Sequence, residues 1–180
     1  EYTQAFSVVF QDFHLFSLPL DENIAAGTEI DEAALQSSLA KVGLTDRVQQ
    51  LPQGVRTRLY NNNGSGVDLS GGEAQRIALA RAILKDAPIV VLDEATAFAD
   101  PDNETKVQVA FNALARGRTV IMIAHRLSTV VNADHIYVLK DGHLAEDGSF
   151  ADLSERMGSL FGTMWRDYQQ SVQWKVAKEA

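Results

Sequence analysis

Leu69-Ser70-Gly71-Gly72-Glu73, followed by Ala74-Gln75-Arg76 and later by Ile89-Val90-Val91-Leu92-Asp93-Glu94-Ala95-Thr96, decides how this chain is read. The first stretch has the form of a helix start. Ser70 with Glu73 three residues on can close a capping box, and the apolar residues Ile77, Ala80, Ile83 and Leu84 then recur at helical spacing. The second stretch is a short run of apolar residues ending in two carboxylates, the pattern of a buried strand with polar groups at its C-terminal end. Twenty-three residues separate Ser70 from Asp93, enough for one helix and a turn before the strand. A familiar companion is missing: no Gly-x-x-x-x-Gly-Lys-Ser/Thr phosphate loop occurs in these 180 residues. The nearest spacing, Gly66 to Gly71, runs into Gly72 with no Lys.

Outward from that core the chain alternates between strand and helix patterns, which predicts an α/β fold. Phe6-Ser7-Val8-Val9-Phe10 is short, branched and aromatic, and reads as a strand ending at Gln11. A mostly helical region follows to Asp86. Within it, residues 31–42 place Ala34, Leu35, Leu39 and Val42 near helical spacing, with Gly43 as the stop, whereas 51–66 is polar and rich in Gly and Asn, a loop. The helix after the glycines is expected over 73–85, closed by Asp86 and Pro88. Strands are expected at 89–92, 119–124 and 135–139, the last turning through Lys140-Asp141-Gly142 into 143–146. The runs at 89–92 and 119–124 are continuously apolar, as expected of parallel strands buried on both faces. A helix over 102–115 between them completes a βαβ unit, and 150–176 reads as a helical tail.

Composition narrows the class only loosely. A chain of 180 residues with 46% apolar content can bury a real core. The formal net charge of -8 argues against a broad nucleic-acid surface, so no nucleic-acid partner is expected. No stretch approaches the roughly 20 apolar residues that span a bilayer, so any membrane role has to come through a partner. Zero cysteines exclude disulfides and thiolate metal sites. The chain opens at Glu1 without Met and enters an apolar run at once, which reads as a segment cut from something longer.

The chemistry concentrates where strands end and one helix begins. Ser70, Gly71 and Gly72 can leave backbone N-H groups open to an anion at the positive end of a helix dipole, although the same Ser-x-x-Glu is an ordinary capping box. Asp93 and Glu94 close a strand at the edge where open α/β sheets form their ligand crevice. There, one carboxylate can serve Mg²⁺ and its neighbour can polarise a water. His125 follows the strand at 119–124, and Gln11 follows the strand at 6–10, which predicts four polar groups along one sheet edge. Asp100 before Pro101 is compatible with a helix cap and with a functional carboxylate alike.

Together these residues resemble the nucleotide-binding domain of ABC transporters over nearly the whole chain. Gln11 matches the Q-loop, Leu69 to Glu73 the signature, Ile89 to Glu94 the Walker B strand, Asp100 the D-loop and His125 the switch histidine. The set is specific in order and spacing. Phe13-His14-Leu15-Phe16 and Glu22-Asn23-Ile24 resemble the exporter-type branch, where this segment receives a coupling helix of the membrane domain; the aromatic cluster is equally consistent with core packing. Ala97-Phe98-Ala99-Asp100 resembles exporter-fold siderophore importers, which leaves the direction of transport open, and Gly64-Ser65-Gly66 lacks the Glu that exporters often carry there.

The resemblance implies a partial P-loop NTPase (RecA-like) parallel sheet with an α-helical signature subdomain, the N-terminal part of the core with its P-loop lying upstream of Glu1. It further implies one partial ATPase domain over 1–180: strand and Q-loop at 1–11, helical signature subdomain at 12–86, catalytic core at 87–149 and helical tail at 150–180. By the same resemblance Glu94 is the general base, with His125 and Gln11 beside it in catalysis. Asp93 and Gln11 attend Mg²⁺. Ser70, Gly71, Gly72 and Asp100 serve the ATP held mainly by a partner domain. Expected partners are a second nucleotide-binding domain, identical or related, and a transmembrane domain docked near the Q-loop at the cytoplasmic face of a bacterial inner membrane. The expected activity is ATP hydrolysis coupled to transport, with the isolated segment inactive. Two other readings stay open: a naturally truncated, non-catalytic interaction module, and a soluble ABC ATPase of translation or repair. The repair type is disfavoured because only 59 residues separate Gln11 from Ser70, too few for a long coiled coil.

Overall fold

The computed structural model describes residues 2–60, 66–93, 101–124 and 127–179, with side chains described outside 101–104 and 172–179. The chain divides into two compact units, Glu1–Ile123 and Ala124–Ala180.

The first unit is built on three strands, β1 (Phe6–Val9), β2 (Ile89–Asp93) and β3 (Thr119–Ile123), in the order β1-β2-β3 and parallel throughout. Parallel neighbours need crossovers. The first crossover carries α1 (Leu20–Ala25), α2 (Glu32–Lys41), α3 (Thr45–Gln49) and α4 (Gly71–Lys85); the second carries α5 (Pro101–Ala115). Register aligns Ser7, Val90 and Val120 in one row and Val9, Leu92 and Met122 in another. These rows face the main core, where α4 and α5 contribute Ile77, Ala80, Val107, Ala110 and Leu114.

Burial on both faces is not what the sheet shows. Phe6, Val8, Ile121 and Ile123 are 40, 41, 51 and 50% exposed, and they occupy the face turned away from α4 and α5. The apolar runs are as continuous as a doubly covered sheet requires, but the helices of the first unit pack against one side.

Helix α4 departs from expectation in extent. It starts at Gly71, not Glu73, and it is buried around its whole circumference from Ala74 to Ala80, including Gln75 and Arg76. A one-sided stripe would suit a surface helix; α4 instead lies against α1, α2, α5 and β1. Arg76 is admitted to the core because its Nη1 donates to the carbonyls of Gly43 (2.9 Å) and Val42 (3.4 Å) and its Nε to Gly72 (3.3 Å). Val42 and Gly43 are the C-cap of α2 and the residue after it, and the stop at Gly43 (φ 65°) falls where the sequence predicts it. The loop over 51–66 holds a short 3-10 turn, Gly54–Arg56, and a bridge from Leu59 to Val67.

The second unit pairs β4 (Ile136–Lys140) with β5 (His143–Gly148) antiparallel. Asp141 and Gly142 both take positive φ (51° and 77°), the two-residue turn whose twist suits a tight hairpin. The tail is two helices, α6 (Phe150–Glu155) and α7 (Leu160–Glu179), not one. Gly158 breaks them at φ 75°, and the head of α7 is capped twice: Glu146 accepts from the N-H groups of Leu160 and Phe161, and Ser159 Oγ from that of Gly162.

Candidate functional site

Ser70 is the N-cap of α4. Its Oγ accepts from Glu73 N at 3.2 Å, and Glu73 Oε2 accepts from Ser70 N at 2.9 Å, so the capping box closes in both directions. Such a cap contributes on the order of 1 kcal/mol. Ala74 N continues to the carbonyl of Ser70. The first-turn N-H groups left without an intrahelical acceptor are those of Gly71 and Gly72, and the Ser70 hydroxyl still has its proton to donate. A Cβ built on Gly71 meets nothing within 4 Å, so an anion has open approach to the end of the dipole. These donors fit a terminal phosphate.

Glu73 does a second job. Its Oε1 accepts from Arg47 Nε on α3 at 2.7 Å, which fixes the carboxylate that in turn fixes Ser70. Burial pushes the Glu73 carboxyl up, but the Ser70 N-H and the Arg47 guanidinium together outweigh it and leave it below the usual carboxylate range. A carboxyl lowered on folding stabilises fully above its unfolded value and loses that contribution as pH falls through the folded one. We expect Glu73→Gln, which keeps the cap's acceptor but drops the charge, to flatten the acid side of the pH profile. Urea midpoints from neutral pH down through the carboxylate range read this, and an unaltered acid slope would count against it.

The other expected residues fall as follows. Asp93 is the last residue of β2, half-buried and paired in register with Ile123. Gln11 stands exposed in the turn beyond β1, at the same edge of the parallel sheet. Glu94, Asp100 and His125 lie outside the described residues. Among the described residues no three His, Cys, Asp or Glu gather to hold a metal; of the expected site residues described, Asp93 offers a carboxylate and Gln11 an amide oxygen, the hard ligands that Mg²⁺ favours.

Beside Gln11 opens a cleft of about 220 Å³ walled by Phe10, Phe13, His14, Phe16, Ala78 and Arg81. The cluster at 13–16 is split between core and surface. Phe13 and Leu15 pack onto the main core, while Phe10 and Phe16 stay 55 and 59% exposed at the cleft. Arg47, Arg76 and Arg81 escaped sequence reasoning because each meets acceptors 26 or more residues away in the chain, beyond any helix or strand period.

A parallel α/β sheet whose crossover helix begins Ser-Gly-Gly and whose central strand ends at Asp93 belongs to the nucleotide-binding class of folds. A family model described as ABC transporter matches residues 1–97, and the chain belongs to that family. It is 48% identical over 158 residues to the ATP-dependent lipid A-core flippase of Cupriavidus metallidurans, covering 86% of this chain and 26% of that protein. Against the flippase of Burkholderia orbicola the identity is 45% over 167 residues, covering 92% and 28%. The solved structure of a bacterial Atm1-family ABC exporter with ATP bound superposes with a TM-score of 0.78 at 40% identity, over 91% of this chain and 28% of that one. The fold is therefore that of a partial ABC nucleotide-binding domain, exporter-type in its relatives. The chain spans about a quarter of the length of these proteins.

Proposed function

We propose that this chain is one partial ATPase domain, residues 1–180, of an exporter-type ABC transporter, and that it contributes two half-sites to a head-to-tail pair of such domains. The observation that carries this is the head of α4: a doubly closed cap that leaves the Gly71 and Gly72 N-H groups without an intrahelical acceptor, with open space at Gly71, in a member of this family. Ser70, Gly71 and Gly72 bind the terminal phosphate of ATP seated on the partner domain, and Asp100 serves that same nucleotide. Glu94 accepts the proton of the attacking water, and Gln11 and His125 orient that water and the phosphate. Asp93, with Gln11, holds Mg²⁺, which when bound neutralises phosphate charge. ATP closes the pair and hydrolysis opens it.

The cleft at Phe10 to Phe16 docks the transmembrane domain, and its two exposed phenylalanines are the apolar anchors such a contact needs. Among the described residues no helix is long and apolar enough to cross a membrane. The domain accordingly works at the cytoplasmic face of the inner membrane through that partner, and lipid flipping, as in the flippases, is the transport reaction favoured by the relatives.

The test separates half-site from whole site. Titrated alone with a fluorescent ATP analogue, this chain gives no saturable binding in the micromolar range, because the phosphate loop's N-H cradle and Lys supply most phosphate contacts. Adding a domain that carries the loop restores binding. Micromolar affinity in the chain alone would sink the half-site reading.

A further inference from the structure

Arg81 lies about three turns along α4 from Ser70. Its Nε donates to the carbonyl of Asn23 at 2.9 Å, and its Nη2 to that of His14 at 3.5 Å. Asn23, 1% exposed on α1, spends its whole side chain on the preceding loop: Oδ1 accepts from Phe16 N at 2.8 Å, and Nδ2 donates to the carbonyls of Phe16, Leu18 and Pro19 at 3.0, 3.1 and 3.1 Å. The loop is also zipped to residues 57–59, with Leu59 N donating to Leu18 O and Leu20 N to Thr57 O. Residues 16–25 therefore form one hydrogen-bonded body that carries the cleft wall. Arg81 is a polar connection from α4 to that body at Asn23 and to the cleft wall at His14.

Packing alone does not call for a guanidinium there. Leu20, Ile24 and Ile77 already join α1 to α4 through the core. Burial depresses the Arg81 pKa, and among the described residues no carboxylate pairs with it to offset that cost. An apolar side chain would fill the space without desolvating a charge. What the planar fork adds is direction, two donors aimed at two carbonyls, that of His14 in the cleft wall and that of Asn23 in α1.

We propose that Arg81 is a positioning residue that ties the helix headed by Ser70 to His14 of the cleft wall and to Asn23 of α1, so that a nucleotide-driven shift of α4 moves the surface that docks the membrane domain. This rests on the reading of Ser70 to Gly72 as a phosphate site and of the cleft as a docking surface. Lysine at 81 keeps the charge and most of the length but reaches only one carbonyl; methionine keeps the packing and reaches neither.

The experiment is hydrogen exchange by mass spectrometry on the assembly that includes the phosphate loop and membrane domain, with and without ATP, in wild type, Arg81→Lys and Arg81→Met. ATP is expected to slow exchange at 70–74 in all three, and to alter it at 13–19 in wild type only. Melting temperatures confirm that the variants are folded. An ATP response at 13–19 in both variants equal to wild type overturns the proposal. So does a wild type that responds at 70–74 but not at 13–19, and so does failure of both variants to fold, which makes Arg81 purely structural. A wild type with no response even at 70–74 fails the phosphate-site reading first, and this proposal falls with it.

Discussion

With a phosphate loop supplied, Glu94→Gln is expected to lose most steady-state ATP hydrolysis while ATP-driven pairing of the domains persists. The substitution keeps the volume and the hydrogen-bonding oxygen of the side chain but removes its ability to take a proton. General-base catalysis is worth roughly a hundred- to ten-thousandfold, so turnover falls by about that factor. Pairing is proposed to depend on other groups, the glycine N-H donors at the head of α4 and the Ser70 hydroxyl, which the change leaves alone. Asp93, one residue earlier on β2, gives the contrasting variant: Asp93→Asn weakens the response to Mg²⁺ as well as turnover, because the carboxylate there is proposed to meet the metal. Phosphate release in single-turnover mixing and the elution volume of the ATP-bound assembly separate the two effects. Unchanged turnover in Glu94→Gln removes Glu94 from the base role.

The strands were legible because parallel strands are written in continuous apolar letters. Ile89 to Leu92 and Val120 to Ile123 need no partner to be recognised; Asp86 and Pro88 mark the approach to the first, and Asp141 and Gly142 mark the turn from β4 to β5. What those letters do not encode is which chain covers each face. Ile121 and Ile123 look as buried as Val120 and Met122 in the sequence and differ twofold or more from a core residue in the structure, since helices lie on one side alone. The helix break at Gly158 had a readable signal, a glycine stop followed by Ser159 as cap, hidden within a longer apolar periodicity.

The head of α4 was legible as two readings, cap and phosphate site, and the cap is there in full. The two are physically compatible, because a capping box consumes the N-H groups of Ser70 and Glu73 and leaves those of Gly71 and Gly72. The polar supports of the site were not legible. Glu73 is held by Arg47, Arg76 by carbonyls of α2, and Asn23 by its own preceding loop together with Arg81. Such contacts depend on how α1, α2 and α3 fold back onto α4. Tertiary packing sets them, and the order of residues in any one helix does not.

That compatibility yields a variant in which stability and function move in opposite directions, Gly71→Asp. Gly71 is exposed, its φ is not positive, and a Cβ there meets nothing within 4 Å, so the fold has room. Replacing a helical glycine gains on the order of 0.5–1 kcal/mol from the unfolded chain, and an acidic group in the first turn adds about 0.3–1 kcal/mol with the dipole. The melting temperature is therefore expected to hold or rise. The same carboxylate stands at the mouth of the glycine N-H groups, where a phosphate about 5 Å away would be repelled by roughly 3 kcal/mol at near-surface dielectric. That is on the order of a hundredfold in ATP-driven pairing. Gly71→Asn fills the same space without the charge, so the ratio of Asn to Asp isolates the electrostatic part, and raising the salt should narrow it. If Asp and Asn pair equally well with ATP, or if pairing falls only as far as the melting temperature does, the head of α4 is a cap and no phosphate meets it.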